Sequence, residues 1–182
     1  MTEMTQLEGS YALDTSNSSL AFVARHSMIT KVRGIFTAFT GSAQVHGQDP
    51  ASSSVTVEVD VTSVDTGSKE RDEHLVSGDF FDAAQFPTIT FVSTGVEAVD
   101  SDSVEITGDL TIKGITRPVT IGFEFTGTAT DPSGNERIGF EGRTEVNRRD
   151  FNLTWNAALD TGGVLVSEKI TLEFEISAIK QA

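Results

Sequence analysis

Arg25, Lys31 and Arg33 fall within nine positions of one another with His26 among them, and Arg143, Arg148 and Arg149 form a second basic group. Arginine presents a planar fork of donors that matches phosphate oxygens, so Arg25, Arg33 and Arg148 are candidates to hold an anionic head group, Arg33 and Arg148 in bidentate fashion. The plainer role for each is a cation on a solvated strand face that neutralises neighbouring carboxylates. His26 shares the strand parity of Phe22 and Ala24. On that parity its imidazole points inward, where it either donates to an oxygen of a bound head group or serves as a hydrogen-bonded core residue. His74 accompanies Arg71 and Asp72 on a helical stretch. Being adjacent, Arg71 and Asp72 do not share a helical face, and they are expected to pin the helix through partners elsewhere. His46 lies beside Gly47 in a loop and is expected to do nothing specific.

An enzyme needs a nucleophile with a base, a metal set or a cofactor cradle. The chain has no cysteine, and its three histidines show no His-x-x-x-His spacing. It also lacks a Gly-x-Ser-x-Gly elbow and a Gly-rich phosphate loop leading into a helix. Glu58, Asp60, Glu173 and Glu175 alternate with apolar residues and read as solvent-facing. No catalytic residue, metal or cofactor is expected. Two alternatives stay open. One is a barrel hydrolase or isomerase acting on a small apolar substrate, built from His26, Asp72 and a serine. The other is a filled barrel with a structural or partner-binding role.

The elements that would position these groups follow from hydrophobic rhythm. Apolar residues recur at every second position, which places them on one face of an extended strand. Val55, Val57, Val59 and Val61 alternate with Thr56, Glu58 and Asp60; Ile170, Leu172, Phe174 and Ile176 alternate with Thr171, Glu173 and Glu175. Leu20-Phe22-Ala24, Ile89-Phe91, Val104-Ile106-Leu110-Ile112, Val119-Ile121-Phe123-Phe125 and Ile138-Phe140-Val146 repeat the pattern, and residues from Gly34 through Phe36 to Gly41 make a less regular strand. Turn residues separate the runs at 47–50, 100–102, 113–114, 131–135 and 162–163, and such short connections favour antiparallel neighbours. Residues 68–84 break the alternation and predict a short helical segment, with a second turn of helix starting at Asp79, whose carboxylate would cap it.

About eight amphipathic antiparallel strands in 182 residues predict a single all-β domain over residues 11–180, behind a flexible N-terminal tail at 1–10. A closed eight-stranded barrel is favoured over a two-sheet sandwich. The inward set is rich in Phe, and Gly34, Gly108 and Gly142 at in-facing positions are expected to leave space. The expected lining is Phe22, Phe36, Val57, Val59, Phe91, Ile106, Leu110, Ile121, Phe123, Phe140, Leu172 and Phe174. Trp155, together with Phe151, Leu153 and the Gly-rich segment ending at Gly163, is expected to form a lip, and Phe80 and Phe81 to cap the cavity from the other side.

Thirteen Lys and Arg against 27 Asp and Glu give a net charge of −14, which disfavours nucleic acid and anionic membranes as general partners. No apolar run reaches the length of a membrane helix, so stable membrane insertion is not expected. Residues 1–8 lack the basic start and apolar run of a signal peptide, and a cytoplasmic location is expected. Unpaired strand edges invite a homodimer.

An ordered series of segments resembles the YceI-like family. It runs through Phe22-Val23-Ala24-Arg25-His26, Val32-Arg33-Gly34-Ile35-Phe36, Ser63-Val64-Asp65-Thr66-Gly67 and Arg71-Asp72-Glu73-His74-Leu75, then Asp79-Phe80-Phe81-Asp82 and residues 86–94, 108–119 and 147–151. The resemblance spans nearly everything from Tyr11 to Ile179. It implies a lipocalin-like antiparallel barrel whose elongated apolar cavity takes a polyisoprenoid or similar amphiphile, such as a polyprenyl phosphate or diphosphate or an isoprenoid quinone, bound and carried rather than transformed. One departure is visible. Where the family often has Gly after the Asp-Phe pair, this chain has Asn152, a residue that tolerates the left-handed backbone such a turn needs.

Overall fold

Alternation of apolar and polar residues determines most of this architecture. The computed structural model describes residues 3–27, 29–157 and 165–182. Among them are β1 (Glu8–Leu13), β2 (Ser19–His26), β3 (Thr30–Phe36), β4 (Phe39–His46), β5 (Ser54–Asp60), β6 (Val64–Asp65), α1 (Lys69–Val76), β7 (Thr88–Ala98), β8 (Ser103–Ile112), β9 (Ile115–Thr130), β10 (Glu136–Asn147) and β11 (Lys169–Lys180). Short 3-10 turns occupy Met4–Gln6, Pro50–Ser52, Val61–Ser63 and Arg148–Phe151. On β5, Val55, Val57 and Val59 face inward while Thr56, Glu58 and Asp60 are exposed.

Eight strands close a ring in the order β1-β4-β5-β7-β8-β9-β10-β11, with β11 returning to β1, and every pairing is antiparallel. This is the expected eight-stranded barrel. The other three strands form a leaf on one end of it. Residues 11–13 of β1 pair with 178–180 of β11, whereas residues 19–23 of β2 pair with 171–175 of the same edge. The chain turns between them at Asp14, whose N–H donates to the Ser177 carbonyl at 2.8 Å. β3 then pairs with β2, and β6 with β3. The irregular strand expected over residues 34–41 is accordingly two strands: β3 belongs to the leaf and β4 to the ring.

The β8–β9 connection is a two-residue turn in which Lys113 (φ 53°) and Gly114 (φ 74°) both take positive φ, the backbone that matches the twist of a tight hairpin. Asn152 adopts the left-handed conformation expected of it (φ 58°, ψ 26°).

Two expectations are corrected. Residues 1–10 are expected as a tail, but residues 8–10 belong to β1 and Leu7 is 4% exposed. The alternation of Leu7, Tyr11 and Leu13 is the signal that identifies this strand. α1 lies inside the expected 68–84 segment, with the Ser68 hydroxyl accepting from the Arg71 N–H. The second helical turn does not form. Residues 77–86 close as successive turns, Asp82 N–H donating to the Ser77 carbonyl at 2.9 Å. The Asp79 carboxylate faces His74 Nε2 at 2.9 Å instead of capping backbone. No helix among the described residues is long and apolar enough to cross a membrane.

Candidate functional site: an apolar cavity along the barrel

The ring encloses a cavity of about 380 Å³. Phe22, Phe36, Val57, Val59, Phe91, Ile106, Leu110, Ile121, Phe123, Phe140, Leu172 and Phe174 all line it, as do Phe80 and Phe81 from the segment after α1. It reaches Met4, Leu7, Tyr11 and Ile138 at one end and Leu75, Phe80, Phe151 and Leu153 at the other. The aromatic rings form two groups of tilted and edge contacts, Phe22–Phe36 at 5.7 Å with Phe36–Phe81 at 6.0 Å, and Phe123–Phe174 at 6.0 Å with Phe123–Phe140 at 6.5 Å between centroids. Such a wall attracts apolar chains and offers them no hydrogen-bond partner.

The in-facing glycines do not leave empty space. A Cβ on Gly34 would meet the Phe22 ring at 2.3 Å, one on Gly108 the Phe91 ring at 2.5 Å, and one on Gly142 the Phe123 ring at 2.4 Å. Each glycine is the seat of a phenyl ring lying flat across the strand beside it. Gly34 therefore sits beneath the lining, and the lumen stays open because the large side chains are laid along the wall.

At the α1 end, His74, Phe80 and Trp155 stack in T-shaped and tilted contacts, 4.6 Å from His74 to Trp155 and 5.3 Å from Phe80 to Trp155. Trp155 is half-buried behind Phe80 and does not line the cavity. Arg71 and Asp72 fasten this cover as their adjacency predicts. Asp72 Oδ1 accepts from the Thr66 N–H at 2.9 Å and hydroxyl at 2.6 Å, while Arg71 donates to the Thr66 hydroxyl and carbonyl at 2.8 Å each. The remainder of the expected lip, residues 158–164, lies outside the described residues.

The polar candidates are placed differently from expectation. His26 is exposed, although its parity matches Phe22 and Ala24. Regular pairing of β2 with β11 ends at Val23, and His26, the last residue of β2, is held there by an isolated bridge to Val166. Arg25 and Arg33 are exposed on the opposite parity, and Arg25 donates to the Ile29 carbonyl at 3.1 Å. Arg148 is buried, 4% exposed, and does line the cavity. Its guanidinium, however, donates to four backbone carbonyls: Ser167 at 2.8 Å, Trp155 at 3.0 Å, Val166 at 3.2 Å and, shortest, Leu153. Burial pushes its pKa down, Glu168 opposing and Arg149 adding to the shift. This arginine ties the connection after β10 to the approach to β11, a task that its place in a basic cluster did not reveal.

Met4, Leu7 and Tyr11, at the β1 end, line the cavity although the expected lining did not include them. Leu7, Tyr11, Ile138 and Ala178 form a second buried cluster, with Met4, Val45, Phe125 and Phe140 packed against it. Among the described residues no group of three or more His, Asp or Glu is placed to hold a metal ion.

Comparison with known proteins gives a consistent picture. Residues 11–178 match the YceI-like domain family. A UPF0312 protein of Vibrio parahaemolyticus is 40% identical over 145 residues, covering 79% of this chain and 77% of its own length. The crystal structure of Burkholderia cenocepacia BcnA superposes with a TM-score of 0.80 at 25% identity, over 91% of this chain and 98% of that one. A structure described as a polyisoprenoid binding domain from Saccharophagus degradans, implicated in plant cell wall breakdown, superposes with a TM-score of 0.72 at 16% identity, over 94% and 98%.

Proposed function

The chain belongs to the YceI-like family, and from that premise we propose that it binds a long-chain polyisoprenoid in its barrel as exchangeable cargo, without transforming it. The observation that carries this reading is the end-to-end apolar cavity. That cavity, of about 380 Å³, runs from Met4 and Leu7 to Leu75 and Phe80 between apolar side chains, a form that suits a hydrocarbon chain. The Saccharophagus degradans neighbour, described as polyisoprenoid-binding, supports the same ligand class.

Energetics favour carriage over permanent storage. At about 0.8 kcal/mol per buried methylene, a tail of about eight isoprene units nominally gains roughly 30 kcal/mol on leaving water, beyond the practical affinity ceiling of about 20 kcal/mol. The competing host for such a tail is a membrane, which hides it from water equally well. Loading depends on the difference between two apolar hosts, and exchange follows.

The head group is recognised less than the tail. Among the described residues the one cation lining the cavity, Arg148, is engaged by backbone carbonyls, and Arg25 and Arg33 are exposed. With a net charge of −14 around it, a neutral head such as a quinone or prenol is favoured over a diphosphate. The test is native mass spectrometry of the purified protein, followed by solvent extraction. A released isoprenoid supports the reading. A protein that carries nothing, and takes up no prenyl chain when offered one, overturns it.

A further inference from the structure

We infer that Met4 and Leu7, on the short segment that precedes the family domain, form the end stop that sets how long a tail the barrel accepts. This rests on the isoprenoid-carrier reading and specifies where its tail ends. The family match covers residues 11–178, so Met4 and Leu7 lie just before it.

The segment is built into the barrel end. Met4–Gln6 make a 3-10 turn closed by a reciprocal pair, with the Glu3 N–H donating to the Gln6 side chain at 2.8 Å. Gly47 fixes it from the β4 side. The Gly47 N–H donates to the Leu7 carbonyl at 2.7 Å, and the Gln48 amide donates to the Thr5 carbonyl at 2.7 Å. A Cβ on Gly47 would lie 2.6 Å from the Met4 carbonyl oxygen and 2.7 Å from that of Leu7, so the segment approaches so closely only because residue 47 is glycine. Leu7 is 4% exposed, packs with Tyr11, Ile138 and Ala178, and, like Met4, lines the cavity.

This end suits the hydrocarbon terminus of a guest. Asp100 lines the cavity at this end and Asp49 and Asp102 stand on the turns around it, whereas the cations here are already engaged, Arg137 by Asp14 and Asp131 and Lys180 by Glu136. An anionic head would be repelled, while an apolar terminus against Leu7 and Met4 needs no polar partner. Methionine also fills irregular gaps, which fits a surface that abuts a chain end.

Removing the two side chains to alanine deletes about six non-hydrogen atoms from that end, room for about one more five-carbon unit. The experiment offers the full-length protein a ladder of prenyl alcohols differing by one isoprene unit and identifies the retained lengths by mass spectrometry. Met4→Ala combined with Leu7→Ala is expected to move the preferred length up by one unit. Ala178→Leu, which adds bulk to the same cluster, is expected to move it down. Gly47→Ala, whose added Cβ meets the Met4 and Leu7 carbonyls, displaces the segment and is expected to lengthen or broaden the distribution. If the double variant fails to fold, the Ala178→Leu and Gly47→Ala shifts decide the matter. Unchanged lengths in the folded variants, with the wild type retaining prenyl chains, overturn the stop alone. A wild type that retains no prenyl chain overturns the carrier reading and the stop with it.

Discussion

The ring of Phe123 lies across Gly142, its cross-strand partner, so closely that a Cβ on Gly142 would come within 2.4 Å of Phe123 Cδ1. The same arrangement joins Phe22 to Gly34, also direct partners, and Phe91 to Gly108. A phenyl side chain standing out from a strand fills the middle of a small barrel, whereas one laid over a glycine lines it.

Gly142→Ala is therefore expected to push the Phe123 ring off the wall and into the lumen, costing about 1–3 kcal/mol of stability through overpacking and reducing tail retention. Gly122→Ala is the control. Gly122 is exposed on β9 with nothing within 4 Å of an added Cβ, and alanine there should be neutral or stabilising by up to about 1 kcal/mol. Equal retention in the two variants would show that the glycine seats do not keep the lumen open.

How far the sequence foretold this site depends on which interactions make it. Period-two alternation places Val57, Phe91, Ile106, Phe123 and Leu172 on the wall, because strand parity alone decides which face a residue takes. Parity fails at His26, the last residue of β2, where the regular ladder to β11 has given way to a single bridge to Val166. Residue type misleads at Arg148. A cation in a basic cluster suggests an anion, but the partners that claim it are carbonyls at Leu153, Trp155, Val166 and Ser167, and no sequence pattern brings those together. The glycine seats were visible as small inward residues, yet the rings that fill them come from the adjoining strand and require the register.

Arg148→Met should be strongly destabilising. It keeps much of the apolar stem but leaves the Ser167, Trp155 and Leu153 carbonyls without their donor, while Val166 keeps the Asn156 amide at 2.8 Å. With roughly 1–3 kcal/mol for each buried group left unpaired, partly relieved by water, a loss on the order of 3 kcal/mol is expected in urea unfolding. Arg148→Lys, with one compact ammonium in place of the fork, should recover only part of it. A loss below about 1 kcal/mol for the methionine variant would mean the carbonyls find other donors.

Asp14 gives the fold an acid-sensitive corner. Hydrogen bonds from Asn17, Ser16 and Arg137 hold its carboxyl well below the usual carboxylate range, against a smaller opposing effect of burial. Arg137 also bonds Asp131 at 2.8 Å, so it joins the β1–β2 corner to the β9–β10 turn. A carboxyl with a depressed folded-state pKa stabilises the fold fully above its unfolded value near 3.9, and that contribution is lost as pH falls towards the folded value. Asp14→Asn should lower stability at neutral pH by about 1.5–3 kcal/mol and should lose less than the wild type on acidification to about pH 3. Parallel pH profiles for the two proteins would exclude this corner as a contributor.

Fastening of the cover at the α1 end can be varied without touching the cavity wall. Thr66 receives both Arg71 donations and gives two hydrogen bonds to Asp72, so four contacts between 2.6 and 2.9 Å converge on one residue that does not line the lumen. Asp72→Ala removes the two accepted bonds and leaves the Thr66 N–H without this partner, a loss of roughly 2–3 kcal/mol from the attachment of α1. Because α1 itself buries no residue, that loss should appear as local opening rather than global unfolding. Hydrogen exchange should accelerate over residues 66–81 while β8 to β10 keep their protection. If guests pass at this end, release of a bound prenyl chain to acceptor vesicles should quicken in step with the exchange rate. Faster exchange with unchanged release would place the passage elsewhere, and unchanged exchange would show that Phe80, Phe81 and Leu75 hold the cover by packing alone.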